Sequence, residues 1–140
     1  MNLSGSILVF AAVCPALCAA APVNDSFSSR ITLTGSQVTA TGTNVAATVQ
    51  SGENLQNGLF GATVWWSWQA PSSGWVRIDT AGSSFDTVLQ ISRGASVATQ
   101  TVVAFNDQKP GWVSDYDSSV TFLATAGTVY NIAVGGWVSQ

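Results

Sequence analysis

The sequence predicts an all-β domain, a jelly-roll-like antiparallel β-sandwich of about eight short strands. No window carries a sustained helical period. Thr, Val and Trp dominate, interrupted by Gly and Ser, which is the composition of strands and turns. Several stretches alternate apolar and polar residues at period two, and turn signals separate them at near-regular spacing.

In chain order, Ile31–Gly35 and Gln37–Thr41 read as two strands joined by a tight turn. Residues 43–61 are richer in Asn and Gly and read as irregular connection. Ala62–Gln69 is the clearest strand, Pro71–Gly74 fits a β-turn, and Trp75–Thr80 reads as the returning strand of a half-buried antiparallel pair. In that strand Val76, Ile78 and Thr80 share one face, and Trp75, Arg77 and Asp79 share the other. Strands follow over residues 87–92 and 101–105. A loop over 106–118 holds Asp107, Asp115 and Asp117, and strands at Val120–Ala124 and Val129–Val134 close the chain.

The chain has 140 residues, a length suited to one domain. Residues 1–20 read as a signal peptide. Ile7–Val13 is a short apolar core, and Cys18 and Ala20 place small residues where a signal peptidase reads. That run is shorter than the roughly 20 residues a bilayer span needs. Residues 21–140 then form the domain, and its expected location is outside the cell or at the cell surface. Both cysteines, Cys14 and Cys18, fall in the removed segment, and neither follows the small residue that lipid attachment wants. The mature domain has no disulfide and must be held by packing, which its size permits.

The formal net charge is −3, with four basic residues. That balance excludes the basic footprint of a nucleic-acid binder and gives no cationic patch for an anionic membrane. The chain contains no histidine. With the cysteines removed it has lost the commonest general base, the thiol nucleophile and the usual zinc ligands. Lys109, the one lysine, sits in a Pro/Gly loop, poorly placed for a depressed pKa. The acids are one glutamate, Glu53, and six aspartates, a sparse set for a paired-carboxylate glycosidase. The chain is therefore not expected to be an enzyme.

Two binding chemistries remain. Aspartates on loops, at Asp25, Asp86, Asp107, Asp115 and Asp117, are ligands for a hard cation such as calcium, or else stabilise turns by bonding nearby backbone groups. The chain has six tryptophans. Trp66 and Trp68 share one strand face, which leaves Trp65 either exposed or covered by a loop. Trp112, on a loop beside acids, is the foremost candidate for an exposed platform that stacks a glycan or a peptide side chain, ahead of Trp65, Trp75 and Trp137. Asn24-Asp-Ser26 also matches the N-glycosylation triplet.

Pro22-Val-Asn-Asp-Ser-Phe27, Val64-Trp-Trp-Ser-Trp-Gln-Ala-Pro71, Gly74–Thr80, Ser84-Phe-Asp-Thr-Val-Leu89, Phe105-Asn-Asp107, Ser119–Phe122 and Ala126–Val134 occur in this order. The series resembles the bacterial pre-peptidase C-terminal domains of secreted and cell-surface proteins. The resemblance implies a non-catalytic sandwich that assists secretion, surface targeting or attachment of an exported enzyme. Its partner would be an extracellular polysaccharide or protein polymer, or a neighbouring enzymatic module. The related collagen-binding domains hold calcium through an N-terminal Asn-Asp segment, which carries over here to Asn24 and Asp25. Family members continue past the equivalent of Trp137 with a glycine turn and a final strand, so the sandwich is expected to lack its last strand or to belong to a longer chain. A carbohydrate-binding module using exposed aromatics is the alternative reading, and a small hydrolase the more remote one.

Overall fold

A computed structural model of the chain describes residues 19–53, 60–107 and 117–137. Among them are seven strands: β1 (Ile31–Leu33), β2 (Phe60–Gln69), β3 (Gly74–Asp79), β4 (Thr87–Arg93), β5 (Thr101–Asn106), β6 (Ser119–Ala124) and β7 (Val129–Trp137). They form two sheets, a five-stranded one in the order β1-β2-β7-β4-β5 and a two-stranded one of β3 and β6. The sheets pack face to face, so the all-β sandwich expected from the period-two patterns is the fold.

Alternation decides which side chains meet between the sheets. From the large sheet come Val64, Trp66 and Trp68 of β2, Leu89 and Ile91 of β4, and Tyr130 and Ile132 of β7. Register places them in rows: Trp66 lies opposite Ile132, which lies opposite Ile91, and Trp68 lies opposite Tyr130. The small sheet answers with Val120, Phe122 and Ala124, and with the half-buried Val76 and Ile78. Phe122 and Trp68 both lean on Tyr130, with ring centroids 5.0 and 6.1 Å away, respectively. Burying each such side chain contributes about 1.5–3 kcal/mol.

The outer face of the large sheet is covered too. Phe27, in a single 3₁₀ turn at Phe27–Ser29, packs on Trp65, Val88 and Ala133, with Val97 and Phe105 beside them. Strand β4 is consequently buried on both faces from Thr87 to Ser92.

Three expectations are corrected. Residues 37–41 are not a strand but an exposed, irregular segment. Their alternation supplies only Val38 and Ala40 as an apolar face, too little to hold a strand on the core, and Val38 stays 47% exposed. Strand β1 is not half of a hairpin either. It runs parallel to β2, Ile31 opposite Trp66 and Leu33 opposite Trp68, so the sandwich is not wholly antiparallel.

The third correction concerns the Pro71–Gly74 turn. Strands β2 and β3 do not pair; β2 pairs with β7 and β3 with β6. The turn carries the chain from one sheet to the other across the core. Trp66 and Trp68 help fill the space between the sheets, which stand ~10 Å apart when stacked. A second crossing, residues 125–128 between β6 and β7, lies against the first. Ala70 N–H donates to the Thr128 carbonyl at 3.0 Å, Gly127 N–H donates to the Ala70 carbonyl at 2.8 Å, and Ala126 N–H donates to Ser73 Oγ at 2.9 Å.

At the opposite end a hydroxyl knot fastens β3, β4 and β6. Thr80 and Thr87 Oγ1 lie 2.6 Å apart, Ser118 N–H donates to both, and Ser118 Oγ donates to the Thr87 carbonyl.

Candidate functional site

The N-terminal pair Asn24 and Asp25 sits on the outer side of β2, at Trp65. Asn24 is buried, and it bonds both the N–H and the carbonyl of Trp65. Its carbonyl accepts the Trp65 N–H at 2.9 Å, and its Nδ2 donates to the Trp65 carbonyl at 3.0 Å. These bonds continue the edge of β2 where β1 does not reach. Asn24 is 3% exposed, so in the folded chain its side chain is covered and engaged in this way.

Asp25 turns its carboxylate toward Thr48. Oδ1 accepts the Thr48 N–H at 2.6 Å and Oδ2 accepts the Thr48 hydroxyl at 3.0 Å. Glu53 approaches from the same side, its Oε1 accepting the Trp65 indole N–H at 3.2 Å. Glu53 Oε2 is enclosed and has no hydrogen-bond partner. Burial raises the Glu53 carboxyl above its ordinary pKa, hydrogen bonds from Trp65 and Gln50 oppose that shift, and the nearby Asp25 charge adds to it.

This geometry bears on the calcium expectation. Two anionic side chains, one with an orphaned oxygen, fit a hard cation as a partial shell; six to eight oxygens are needed in all. Of the expected pair, Asp25 has its carboxylate on Thr48, and Asn24 has its Nδ2 and carbonyl on the Trp65 backbone. Among the described residues no group of three acidic, histidine or cysteine side chains is arranged to hold a metal. Nothing local in sequence links Glu53 to Asp25; Trp65 does so indirectly, its indole holding Glu53 and its backbone holding Asn24, next to Asp25.

The raised Glu53 pKa has a testable sign. An acid whose pKa is raised by folding binds its proton more tightly in the folded state, so it costs stability as pH rises through and above the ordinary carboxylate range. Glu53→Gln keeps an acceptor for the Trp65 indole and carries no charge. Without added divalent cation it is expected to melt higher than the parent at pH 7. The gap should close below about pH 4, where Glu is protonated in both states. Thermal melts of both proteins across that range check it.

Several other acids act in turns. Asp117 accepts the backbone N–H groups of Gly82 and Ser83 at 3.2 and 3.3 Å, and Asp79 accepts that of Ala81 at 3.3 Å. Asp86 has its pKa raised by burial and by the charge of Asp107.

The tryptophans separate cleanly. Trp65, Trp66 and Trp68 are buried, and the loop covering Trp65 is the N-terminal segment around Phe27. Trp112 lies outside the described residues, as do Lys109 and Asp115, and nothing is described of the Trp137 side chain. Among the tryptophans whose side chains are described, Trp75 is the exposed ring. It stands 75% exposed on the outer face of β3, directly opposite Leu123 of β6, itself 62% exposed. Along the same face Arg77 lies opposite Thr121, and Asp79 lies opposite Ser119. Arg77 Nε is 3.3 Å from Asp79 Oδ2 and donates to Ser119 Oγ at 3.0 Å. The alternation of Trp75–Thr80 was the signal for this face, since burying Val76 and Ile78 forces Trp75 outward.

Between the sheets, beside β3, a cleft of about 710 Å³ opens toward residues 35–44. Core side chains such as Val64, Trp66, Leu89 and Ile132 form its floor. Gly42 closes over the Trp66 ring so tightly that a Cβ there would stand 2.9 Å from it.

Comparison with known proteins returns no match to a family model, to a curated protein or to a solved structure.

Proposed function

We propose that the chain is an exported, non-catalytic accessory domain of the pre-peptidase C-terminal kind. Its role is attachment to an extracellular polymer, or surface targeting of an enzymatic module beside it. The observation that carries this reading is the outer face of β3 and β6. A large indole and a leucine stand in solvent on a strand pair whose backbone is fixed by a complete ladder. An exposed apolar pair on a rigid sheet is suited to contact, and a sheet positions it with little ordering cost on binding. The ordered motifs from Pro22 to Val134 support the family reading, and the export-signal pattern of residues 1–20 supports the location.

Retention of the purified chain on a panel of insoluble polymers, both polysaccharide and protein, tests the attachment role. Retention on one or more of them is expected; passage through all of them would contradict it.

A calcium-stabilised form of the domain is the second reading, favoured by the orphaned Glu53 Oε2 beside Asp25. At a hundredfold excess over its Kd, calcium is then expected to stabilise the fold by about 2.7 kcal/mol, seen as a higher Tm than in chelator. Glu53→Gln should lose that increment. Equal melting in calcium and chelator would end this reading.

A further inference from the structure

We infer that the outer face of the β3–β6 pair is a saccharide site, taking neutral β-linked polysaccharide with a pyranose ring stacked on Trp75. The inference rests on the attachment role proposed above and names the polymer class.

Size is the first argument. Among the described residues, the large apolar side chains exposed on this face are Trp75 and Leu123. Together they offer at most a few hundred Å², since a large aromatic buries 150–250 Å². A stable protein–protein interface takes about 800 Å² from each partner. The described apolar patch is smaller than the apolar half of such an interface, and it is of the scale of one sugar ring. The C–H face of a pyranose with equatorial substituents is flat and apolar, which is the surface an exposed indole complements.

The polar half of the face is the second argument. Arg77 and Asp79 follow Trp75 at steps of two residues, roughly 6.6 Å each along a strand, and Thr121 and Ser119 stand opposite them. This supplies guanidinium donors, carboxylate acceptors and hydroxyls that do both, the complement that vicinal sugar hydroxyls need. Ring and polar groups lie on one strand, so a sugar stacked on Trp75 sends its hydroxyls, or those of the next unit, over Arg77 and Asp79.

Charge is the third argument. Arg77 and Asp79 neutralise each other at 3.3 Å, and the chain carries a net charge of −3. An anionic polymer gains no net attraction here, which selects a neutral one.

The test uses the full chain with microcrystalline cellulose, chitin and insoluble collagen in co-sedimentation. Retention on cellulose or chitin is expected, insensitive to 0.5 M salt and competed by the matching soluble oligosaccharide. Trp75→Ala should weaken it at least tenfold with an unchanged melting curve, and Trp75→Tyr should restore most of it. Asp79→Asn should weaken it less than Trp75→Ala. Retention on collagen alone would overturn the saccharide site and leave the attachment role standing. Retention on a polysaccharide that Trp75→Ala does not reduce would overturn the site likewise. Passage through all three materials would overturn the inference, and failure on the wider panel as well would remove the attachment role with it.

Discussion

Replacing Trp65 with alanine is expected to destabilise the domain by about 3–5 kcal/mol, the cost of a large aromatic removed from a packed interior. Trp65 has no exposed surface. Its ring meets the edge of Phe27 at 5.2 Å between centroids, with Val88 and Ala133 closing the same small cluster. The loss spreads beyond the cavity. Glu53 would lose the indole N–H that its Oε1 accepts, leaving a half-buried carboxylate with one hydrogen bond fewer. The segment around Phe27 would lose its principal ring contact, leaving the N-terminal arm held by the backbone bonds of Asn24 and by Asp25 on Thr48. Since a domain of this kind has only some 5–15 kcal/mol in all, the variant should unfold at a much lower urea concentration. Trp75→Ala is the internal control, expected to lie within about 0.5 kcal/mol of the parent because its ring is in solvent. A Trp65→Ala midpoint close to that of Trp75→Ala would contradict the assignment of covered and open faces.

The second large effect is expected at Gly94, which leaves β4 with φ at +152°. A Cβ there would stand 2.4 Å from the Thr99 carbonyl oxygen, a backbone atom with no rotamer to give way. Gly94→Ala therefore forces the 94–100 connection apart. The displacement reaches inward, because the Gly94 carbonyl accepts Asn131 Nδ2 at 3.0 Å. Asn131 Nδ2 also donates to Gln100 Oε1, the same oxygen that accepts the Ser92 hydroxyl. These groups are buried or half-buried on the outer face of the large sheet, where a lost partner is costly. Backbone strain and disrupted bonding together predict about 2–4 kcal/mol, measured by the same denaturation. A neutral outcome would mean that the turn opens freely and that the polar network is not held by it.

Both sites show what local sequence conveys and what it leaves open. Strands β2, β4, β6 and β7 were legible because their period-two patterns have an apolar row substantial enough to bury, as at Val64, Trp66 and Trp68. Residues 37–41 have the same alternation without that row, so periodicity alone misplaces them. The turn at Pro71–Gly74 was legible as a turn, but turn chemistry does not say whether the chain returns within a sheet or crosses to the next. The crossing is held by the Gly127 and Thr128 backbone, more than fifty residues away. The parallel run of β1 was hidden for the same reason.

The candidate sites divide along this line. Trp75 could be placed outward from its own strand, since Val76 and Ile78 claim the inner face. The grouping of Asp25, Thr48 and Glu53 about Trp65 could not, because their separations in sequence exceed any local pattern. Trp112, the ring that the sequence favours, lies outside the described residues, while Trp75 stands open on a fixed ladder.

Oxidative footprinting of the chain, free and bound to the polymer that retains it, tests the contact role most directly. In the free chain Trp75 should oxidise faster than Trp65, Trp66 and Trp68, and on the polymer it should become protected while those three stay unchanged. Equal oxidation of Trp75 in the free and bound states would contradict the assignment of this face to binding.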